Sequence, residues 1–437
     1  MGEILRSSRV LTPLGGSLRL PGDKSISHRS LMFSALAEGT SKIEGLLEGE
    51  DCKATARALE RMGVQIDRTS DGLYTVHGVG LEGLIRPDGP LDMGNAGTGM
   101  RLFCGLLAGQ RFDSELIGDE SLSVRPMARV ADPLNAMGAN IRTTDGHAPI
   151  RVTAPAGELS AFSYELPVAS AQLKSALLIA GLYAVGPVSV IEPAVSRDHT
   201  ERMLAAMGVV IESEGNTVTL TPPERLSPVD IQVPADLSSA AFFLVAASIV
   251  PRSSVILQQI GVNPTRDGVL KILEMMGADI RQLNPRMCGG EPVADLHIFG
   301  SSLKAVHVTD ELVPLAIDEF PVLFVAAAAA EGVSRFEGLG ELRHKESDRI
   351  AAMTAGLRAL GATVDEGSDW VEITGGTLRG GRVDSFHDHR IAMAFAVAGA
   401  NAEGVVEVER PQNIATSFPD FQKLAVECGL SVEVVSE

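Results

Sequence analysis

The sequence predicts an α/β protein of two domains, each built from three repeated units of helices and strands. The first observation is length, because 437 residues exceed what one ordinary hydrophobic core accommodates. The second is composition: 45% of the residues are apolar but only 4% are aromatic, so the cores are expected to consist of aliphatic and alanine side chains. The third is a short pattern that recurs along the chain.

Each copy of this pattern is a helix-like apolar segment, a glycine and an alternating, strand-like run. The six glycines lie 68 to 84 residues apart: Gly63, Gly138, Gly208, Gly277, Gly361 and Gly429. We predict that a helix ends before each glycine, which takes the left-handed conformation and turns the chain into a strand. Six copies indicate a repeat architecture, with each copy one supersecondary unit.

Composition also restricts the classes of function. The formal net charge of −19 argues against broad binding to nucleic acids or membranes. The most apolar stretches, 240–250 and 322–330, are shorter than the roughly 20 residues that span a bilayer, and no secretory signal pattern is evident. The cysteines are scattered without a CxxC pair, so we expect reduced, buried thiols of a cytoplasmic protein: Cys52, Cys104, Cys288 and Cys428.

A basic cluster near the N-terminus is a candidate anion site. Lys24, Ser25 and Arg29 follow a Pro-Gly pair, and we expect Ser25 to cap a helix that runs through Leu31 and Ala35. Ser25 and Arg29 are four residues apart and share a helix face, with Lys24 at the helix mouth. This arrangement suits a phosphate or carboxylate. An ordinary capped helix with a solvated basic end remains an equal alternative.

A glycine-rich stretch precedes the next predicted helix. Gly94, Gly97 and Gly99 are expected to form a loop before a helical run from Arg101 to Leu107, and such a backbone can approach an anion closely. It is not a P-loop, since no Lys-Ser/Thr pair follows at the required spacing. A plain turn is the alternative.

Arg125 precedes a proline, which favours an extended or turn conformation, and by itself indicates only a surface arginine.

Five further motifs contain charged or polar residues beside predicted helices. They are Ser170-Ala171-Gln172-Leu-Lys174, Ser196-Arg197-Asp-His199-Thr-Glu201, Asp318-Glu319, Lys345-Glu346-Ser-Asp-Arg349 and His387-Asp-His389-Arg390. Ser196 or Asp198 is expected to cap the helix that follows. If 345–349 is helical, Lys345 and Arg349 share a face with Glu346 beside them. A carboxylate among cations indicates either an ion-pair network or a proton donor or acceptor. A metal site at His387 and His389 is the less favoured interpretation of the last motif, because spacing fixes no third ligand.

Taken together, these motifs resemble the 5-enolpyruvylshikimate-3-phosphate synthase (3-phosphoshikimate 1-carboxyvinyltransferase) family in order and spacing, from about residue 10 to the C-terminus. Four signatures resemble its class II branch: Gly22-Asp-Lys-Ser25, Ser170-Ala-Gln-Leu-Lys174, Arg197-Asp-His-Thr-Glu201 and Asn263-Pro-Thr-Arg266. The resemblance implies an inside-out α/β barrel fold with two domains, each of three βαβαββ-type units. The implied domains are 21–236 and 1–20 plus 237–437, with the active site in the cleft between them.

The resemblance also implies a role for each candidate residue. Shikimate 3-phosphate would be held by Lys24, Ser25, Arg29, Ser170, Ala171, Gln172, Arg197, Asp318 and Lys345. Phosphoenolpyruvate would be held by Lys24, Gly97, Arg125, Gln172, Arg349 and Arg390. Asp318 would act as the base on the acceptor hydroxyl, with Glu319 as the alternative, and Glu346 would protonate the vinyl carbon. Lys24 would contact both substrates and count among the catalytic residues.

The implied reaction is transfer of the carboxyvinyl group of phosphoenolpyruvate to the 5-hydroxyl of shikimate 3-phosphate, on the way to chorismate and the aromatic amino acids. It needs an acid, a base and fixed cations, and no metal or other cofactor. We expect a monomer with small-molecule substrates, no nucleic-acid or membrane partner, and glyphosate as an inhibitor.

Two positions depart from patterns found in the family. Some members carry a lysine at the position of Thr416, which puts one expected cation in doubt. The class II signatures imply tolerance to glyphosate. Some glyphosate-tolerant members, however, carry alanine at the position of Gly97, and this chain lacks that methyl group, so we expect intermediate inhibition.

Two other functions compete with this interpretation. The related transferase that acts on UDP-N-acetylglucosamine has a cysteine in the Arg-Pro loop, where this chain has Glu120 and no nearby cysteine. A non-enzymatic protein that kept the six-repeat scaffold is expected to have lost catalytic side chains, yet every position named above carries a competent residue.

Overall fold

The structure is a computed structural model that describes residues 2–436 and divides them into two compact units. Unit 1 comprises the described residues of Met1–Pro21, Pro234–Met287 and Pro292–Glu437. Unit 2 comprises Gly22–Val233 and Cys288–Glu291.

The strands are, in chain order, β1 (Glu3–Ser8), β2 (Gly15–Arg19), β3 (Glu38–Glu44), β4 (Gln65–Ser70), β5 (Leu73–Val79), β6 (Leu91–Asp92), β7 (Ser114–Ile117), β8 (Asn140–Thr144), β9 (His147–Thr153), β10 (Phe162–Glu165), β11 (Val188–Ile191), β12 (Val210–Glu214), β13 (Thr217–Thr221), β14 (Ile231–Gln232), β15 (Ser254–Gly261), β16 (Asp279–Cys288), β17 (Glu291–Phe299), β18 (His307–Val308), β19 (Val333–Phe336), β20 (Thr363–Glu366), β21 (Val371–Thr374), β22 (Gly381–Asp384), β23 (Val406–Glu409) and β24 (Ser431–Ser436).

The α-helices are α1 (Lys24–Leu36), α2 (Glu50–Arg61), α3 (Gly97–Ala108), α4 (Glu120–Ser123), α5 (Ala128–Ala136), α6 (Ala171–Gly181), α7 (His199–Ala206), α8 (Leu237–Ile249), α9 (Gly268–Met275), α10 (Val313–Ala316), α11 (Phe320–Ala329), α12 (Arg349–Ala359), α13 (His389–Gly399) and α14 (Phe421–Cys428). Short 3₁₀ turns cover Asp310–Leu312, Gly340–His344 and Pro411–Thr416.

Unit 2 contains three four-stranded mixed sheets, whose strand orders are β14-β3-β5-β4, β6-β7-β9-β8 and β10-β11-β13-β12. In each sheet the first two strands pair in parallel and the others pair antiparallel. Helices α1, α3 and α6 supply the core residues of this unit and are buried along almost their whole length. Because they are buried on all sides, these three helices form the centre of the unit.

Unit 1 repeats the arrangement with strand orders β22-β23-β1-β24, β16-β17-β15-β2 and β18-β19-β21-β20. Its central helices are α8, α11 and α13, which consist mainly of alanine, valine and phenylalanine and are buried. The few aromatic residues concentrate in this core, where Phe243, Phe418 and Phe421 have ring centroids 5.6 to 6.3 Å apart. Strand β1 is fixed in the middle of its sheet, with Ile4 opposite Glu409 on one side and Val435 on the other.

The predicted α/β class and its repeats are confirmed by this architecture. The chain runs β6-α3-β7-α5-β8-β9, with the short α4 inserted, and β10-α6-β11-α7-β12-β13, so each repeat is a βαβαββ unit. All six repeat glycines have positive φ, from 85° at Gly277 to 111° at Gly138. A side chain is disfavoured in this conformation, which is why glycine recurs at each helix-to-strand turn.

Two sequence expectations about apolar helices and cysteines can be compared with the described residues. Across 2–436 no single helix is long and apolar enough to cross a membrane, although Asp310–Ala316 and Phe320–Ala329 reach that length and composition as a pair bent by 117°. Cys52, Cys104 and Cys428 are buried as expected, whereas Cys288 at the end of β16 is partly exposed, which corrects the expectation of four buried thiols.

Candidate active site

The N-terminus of α1 brings the first cluster of predicted residues together. Asp23, not Ser25, is the N-cap: its carboxylate accepts a hydrogen bond of 2.8 Å from the backbone N–H of Ile26. The predicted cap was therefore wrong by two residues, because the helix already begins at Lys24, and aspartate caps a helix as well as serine does. Lys24 and Ser25 consequently lie in the first turn of the helix, and Arg29 one turn further on.

Lys24 is held by an acidic partner from the neighbouring helix. Its ammonium lies 3.0 Å from the Asp51 carboxylate of α2, and both side chains are largely buried. His28, one turn along α1, is fully buried and lies 2.8 Å from the Thr55 hydroxyl. Burial, together with Lys24 and Arg29, lowers the pKa of His28 to about 3. The imidazole is therefore neutral at physiological pH, and Lys24 carries the positive charge near the helix mouth.

Arg29 is buried and acts as a link between three segments. Its guanidinium donates to the Thr200 hydroxyl at 2.7 Å, the Ser175 hydroxyl at 2.7 Å and the Ser25 carbonyl at 2.8 Å. Burial lowers the pKa of Arg29 to about 10, against the opposing effect of Glu201, so the side chain stays charged. Arg29 thereby fixes the backbone of Ser25 and joins α1 to α6 and α7.

The glycine-rich stretch forms the start of a helix rather than a separate loop. Helix α3 begins at Gly97, so Gly97 and Gly99 lie inside it, and the predicted start at Arg101 was four residues late. Glycine is a poor helix former, which is why the sequence favoured a loop. The reason for glycine at 97 is space: a Cβ there would lie 2.8 Å from Arg125 Nη1 and 3.1 Å from Arg101 Nη1.

Three cationic and amide side chains surround Gly97. Arg125 donates to the Asn95 side-chain carbonyl at 2.6 Å and is buried, so the interpretation of Arg125 alone as a surface arginine was wrong. Arg101 donates to the side-chain carbonyl of Gln172 at 3.0 Å, and the Gln172 amide donates to the Thr98 hydroxyl at 2.9 Å. Arg101 was missed as a candidate site residue, although its spacing of four residues from Gly97 places both on one helix face.

Helix α6 begins at Ala171, inside the Ser170 motif that it was expected to follow. The Ser170 hydroxyl caps the helix by accepting from the backbone N–H of Leu173 at 3.3 Å, and Ala171 and Gln172 occupy its first turn. Arg197 lies half-buried in the loop between β11 and α7. Of the two predicted caps for α7, the N-cap is Asp198, which makes no capping bond through its side chain.

In unit 1, Asp318 lies among cations from a distant part of the sequence. Its carboxylate accepts from the Lys345 ammonium at 3.3 Å and from Arg349 Nη1 at 3.5 Å. Arg349 also pairs with Glu346 at 2.6 Å. The segment before α12 is not helical, because Asp348 caps the helix and Arg349 is its first residue. The condition of a helical 345–349 is therefore not met, but the irregular segment still brings Lys345 and Glu346 beside Arg349 and Asp318.

Asp388 is the buried partner that holds Arg349 in place. The Asp388 carboxylate lies 2.8 Å from Arg349 Nε and also accepts from the Ser347 hydroxyl at 3.0 Å. It caps α13 by accepting from the Arg390 backbone N–H at 2.9 Å. Burial opposes ionisation of Asp388, but Arg349 outweighs it and the pKa of Asp388 is lowered. Burial likewise lowers the pKa of Arg349, but Asp388 and Glu346 outweigh it and the net shift is upward.

Glu319 faces a different set of partners from its neighbour Asp318. It is buried, accepts a short hydrogen bond from the Ser238 hydroxyl and lies 3.8 Å from Arg390 Nη1. Ser238 also accepts from Arg266 at 2.7 Å, and Arg266 pairs with Asp236 at 3.0 Å. Arg390 Nη1 donates to the backbone carbonyl of Asp318 at 3.0 Å. These contacts fix the loop that presents Asp318.

Thr416, which stands where some family members have lysine, donates its hydroxyl to the Asn413 carbonyl at 2.7 Å and ends a 3₁₀ turn.

Among the described residues, Asp198, His199 and Glu291 form a group with metal-ligand atom types, and His199 Nδ1 lies 2.7 Å from the Glu291 carboxylate. That pair is already explained as a histidine–carboxylate interaction within unit 2.

The chain is similar to known proteins along most of its length. Residues 9–424 match the family model described as EPSP synthase (3-phosphoshikimate 1-carboxyvinyltransferase). The chain is 56% identical over 422 residues to the 3-phosphoshikimate 1-carboxyvinyltransferase of Xanthomonas campestris pv. campestris strain B100, covering 96% of each chain. It is 54% identical over 420 residues to the protein of that name from Methylococcus capsulatus, again covering 96% of each.

A solved structure extends the agreement to the fold. The EPSP synthase of Acinetobacter baumannii superimposes with a TM-score of 0.89 at 48% identity, covering 99% of this chain and 100% of the other. The fold class and family resemblance inferred from the motifs are both confirmed, and neither competing function is supported. This chain belongs to the EPSP synthase (3-phosphoshikimate 1-carboxyvinyltransferase) family.

Proposed function

We propose that this protein transfers the carboxyvinyl group of phosphoenolpyruvate to the 5-hydroxyl of shikimate 3-phosphate and releases phosphate. The observation that carries the proposal is the group of Asp318, Lys345, Glu346 and Arg349, in which two carboxylates contact one buried arginine. This group offers a proton acceptor, a proton donor and fixed cations within a few ångströms, in a chain that belongs to the family that carries out this reaction.

The reaction fits these groups in two steps. In the first, a proton is added to the methylene carbon of phosphoenolpyruvate, and the acceptor hydroxyl, losing its proton to a base, bonds to the adjacent carbon. In the second, the tetrahedral adduct loses phosphate and a methyl proton, which restores the double bond. Each step moves protons and anionic charge, so correctly placed carboxyls and cations supply what the chemistry requires.

We assign the base to Asp318 rather than to Glu319. The Asp318 side chain is 17% exposed, whereas that of Glu319 is 2% exposed and accepts from Ser238 in the interior. A base must reach the proton that it removes, and only the more exposed carboxylate is open to a bound hydroxyl. The matched test compares Asp318→Asn with Glu319→Gln. We expect Asp318→Asn to lower kcat by about 10²–10⁴-fold and Glu319→Gln to lower thermal stability with kcat within about ten-fold.

Glu346 is assigned as the acid that protonates the vinyl carbon. It pairs with Arg349, which the proposal also gives to phosphoenolpyruvate. An anion that takes over the N–H groups of Arg349 displaces the Glu346 carboxyl, which is then able to take up and deliver a proton. Binding of the substrate and readiness of the acid are therefore linked through one guanidinium.

The remaining residues are assigned to the substrates according to their surroundings. Lys24, Ser25, Ser170, Ala171, Gln172, Arg197 and Lys345 hold shikimate 3-phosphate, with Arg29 acting on it largely through Ser25; Lys24, Gly97, Arg125, Gln172, Arg349 and Arg390 hold phosphoenolpyruvate. The helix starts at Lys24, Gly97 and Ala171 support these assignments, because N-terminal backbone N–H groups and nearby cations favour phosphates and carboxylates.

The direct test is phosphate release by purified protein in three reactions that all contain phosphoenolpyruvate. One contains shikimate 3-phosphate, one contains UDP-N-acetylglucosamine and one contains no acceptor. We expect release only with shikimate 3-phosphate. Release with the UDP-sugar instead, or with neither acceptor, would refute the proposal.

Three further properties belong to the same proposal. Glyphosate competes with phosphoenolpyruvate, because both are small phosphorylated carboxylates that Arg125, Arg349 and Arg390 can bind. The protein acts as a monomer, and it works in the cytoplasm, because charged phosphate esters do not cross membranes freely and are used where they are made. Inhibition kinetics, sedimentation velocity and cell fractionation test these three statements separately.

A further inference from the structure

Unit 2 contains a buried group of three charges to which the proposed chemistry assigns no role. The ammonium of Lys174 lies 2.8 Å from the Glu192 carboxylate and 2.7 Å from that of Glu201. The exposed fractions of the three side chains are 1%, 2% and 8% respectively. Lys174 stands on α6, Glu192 directly follows β11, and Glu201 lies in the first turn of α7.

Burial of three charged groups is energetically unfavourable and contributes little to the stability of a core. Two carboxylates share one ammonium away from water, and burial raises the pKa of Glu201. Burial also opposes the charge on Lys174, but the two glutamates outweigh it and its pKa is raised. Ion pairs of this kind often stabilise a fold no better than apolar side chains of the same volume. Their presence is better explained by the geometry that they impose.

The geometry is imposed on one residue, Ser196, in the loop between β11 and α7. Its hydroxyl donates a short hydrogen bond to Glu192, and its backbone N–H donates to the same carboxylate at 3.4 Å. Its backbone carbonyl accepts from the Lys174 ammonium at 3.2 Å. Every polar group of Ser196 is therefore held by Glu192 or Lys174, and the next residue along the chain is Arg197.

The two glutamates differ in one respect that makes the arrangement testable. Glu192 contacts both Lys174 and Ser196, whereas the Glu201 carboxylate contacts Lys174. Both are buried, both are acidic and both pair with the same ammonium. A substitution at either position removes one carboxylate charge from the group, but only the change at Glu192 also loosens the Ser196 backbone.

We infer that Glu192 and Lys174 are positioning residues, which clamp the backbone of Ser196 and thereby hold Arg197 in the orientation that binds shikimate 3-phosphate. The inference rests on the proposed function, in which Arg197 binds that substrate. The same lysine stands one turn after Ser170, and its backbone N–H donates to the Ser170 carbonyl at 3.0 Å. The clamp therefore ties the Ser196-Arg197 loop to the start of α6, which carries Ser170, Ala171 and Gln172.

The experiment compares Glu192→Gln with Glu201→Gln in the full-length protein. Calorimetric titration gives the Kd for shikimate 3-phosphate, steady-state kinetics give kcat and the KM for phosphoenolpyruvate, and thermal unfolding reports stability. We expect Glu192→Gln to raise the Kd for shikimate 3-phosphate by about ten-fold or more, since the charged anchor of the loop is lost. Glu201→Gln is expected to raise it by less than about three-fold, although both variants lose stability.

Equal changes in this Kd for the two variants, or an unchanged Kd for Glu192→Gln, would overturn the inference. If Glu192→Gln does not fold, Glu192→Asp and Glu201→Asp replace the pair. They keep both charges but withdraw the carboxylate by one methylene, and the same difference in Kd is expected. A wild-type protein that neither binds shikimate 3-phosphate nor releases phosphate refutes the proposed function and the inference together, whereas an active wild type with equal variants refutes the inference alone.

Discussion

Replacement of Gly97 by alanine is the most direct test of the arginines around the start of α3. The added Cβ would lie 2.8 Å from Arg125 Nη1, about 0.6 Å closer than the roughly 3.4 Å at which such atoms are in ordinary contact. It would lie 3.1 Å from Arg101 Nη1 and 3.5 Å from Leu122 Cδ1. The methyl group therefore meets the guanidinium of Arg125 whether or not an inhibitor is bound.

The expected change in the KM for phosphoenolpyruvate follows from the hydrogen bonds that hold Arg125 in place. Its guanidinium is tethered to Asn95 at 2.6 Å and to Ser121 at 3.3 Å, so it withdraws only by lengthening these bonds or by turning away from the ligand. Charge-assisted hydrogen bonds contribute about 1.5–3 kcal/mol each, and half of a bond at the upper end of this range amounts to about ten-fold in affinity. We expect the KM for phosphoenolpyruvate to rise by about ten-fold.

Glyphosate should be affected more strongly than the substrate. It is the longer molecule, so it loses the same contact with Arg125 and also meets the methyl group, at a further cost of about 1–3 kcal/mol. The inhibition constant for glyphosate should therefore rise by about 10²–10³-fold. The fold should remain stable, because alanine favours a helix over glycine by about 1 kcal/mol.

The assay measures both constants in wild type and in Gly97→Ala, with Gly99→Ala as the matched control. A Cβ at Gly99 would meet Met93 Cε at 2.9 Å and Thr55 Oγ1 at 3.0 Å, and no arginine is among its nearest atoms. We expect Gly99→Ala to lower stability while the KM for phosphoenolpyruvate stays within about two-fold. Unchanged constants in Gly97→Ala, or equal changes in both variants, would show that Arg125 does not bind the phosphoenolpyruvate group.

Three further outcomes are expected. Lys24→Met should lower kcat/KM by roughly 10²–10⁴-fold, since two charge-assisted bonds are lost, whereas Asp51→Asn breaks the same ion pair, keeps the ammonium and should retain activity within about ten-fold. Glu346→Gln should lower kcat by about 10²–10⁴-fold and leave the Kd for shikimate 3-phosphate within about three-fold; the reverse pattern would make Glu346 a structural residue. His28, with its pKa lowered to about 3, takes up a proton more readily when unfolded, so stability falls as pH drops below the ordinary value of 6.5. Denaturation at pH 7 and pH 5 should show a loss of about 2 kcal/mol that is largely absent from His28→Asn.

The features that the sequence predicted well are those set by local physics. The glycine at each helix-to-strand turn is required by backbone conformation alone, so six copies of Gly63 and its counterparts were sufficient to predict the repeats. The apolar helix expected to follow the Ser170 motif is also present, although it begins inside the motif, at Ala171, where the Ser170 hydroxyl caps it. The family motifs supplied the candidate residues for the same reason, since each motif is short.

The features that it predicted poorly depend on contacts between distant segments. Arg349 meets Asp388 39 positions further along the chain and Asp318 31 positions before it, and no local spacing contains that information. The same limit explains why Arg125 was taken for a surface residue. At 345–349 the helical condition fails because Asp348 caps α12 and the helix begins only at Arg349; tertiary pairing with Asp318, rather than a shared helix face, brings Lys345 beside Arg349.

The strongly acidic chain and its anionic substrates are reconciled by the way in which each site cation is paired. Lys24 is neutralised by Asp51, and Arg349 by Asp388, both of which are almost inaccessible, with exposed fractions of 7% and 0%. Arg349 has two further carboxylate contacts, Asp318 and Glu346, and each of these side chains is 17% exposed. The buried carboxylates hold the cations in place, while in the proposed mechanism the exposed ones give up their contacts with Arg349 to the bound anion. The carboxylates that a substrate displaces are thus the two that the proposed mechanism needs as base and acid, so binding sets them free at the place where the protons move.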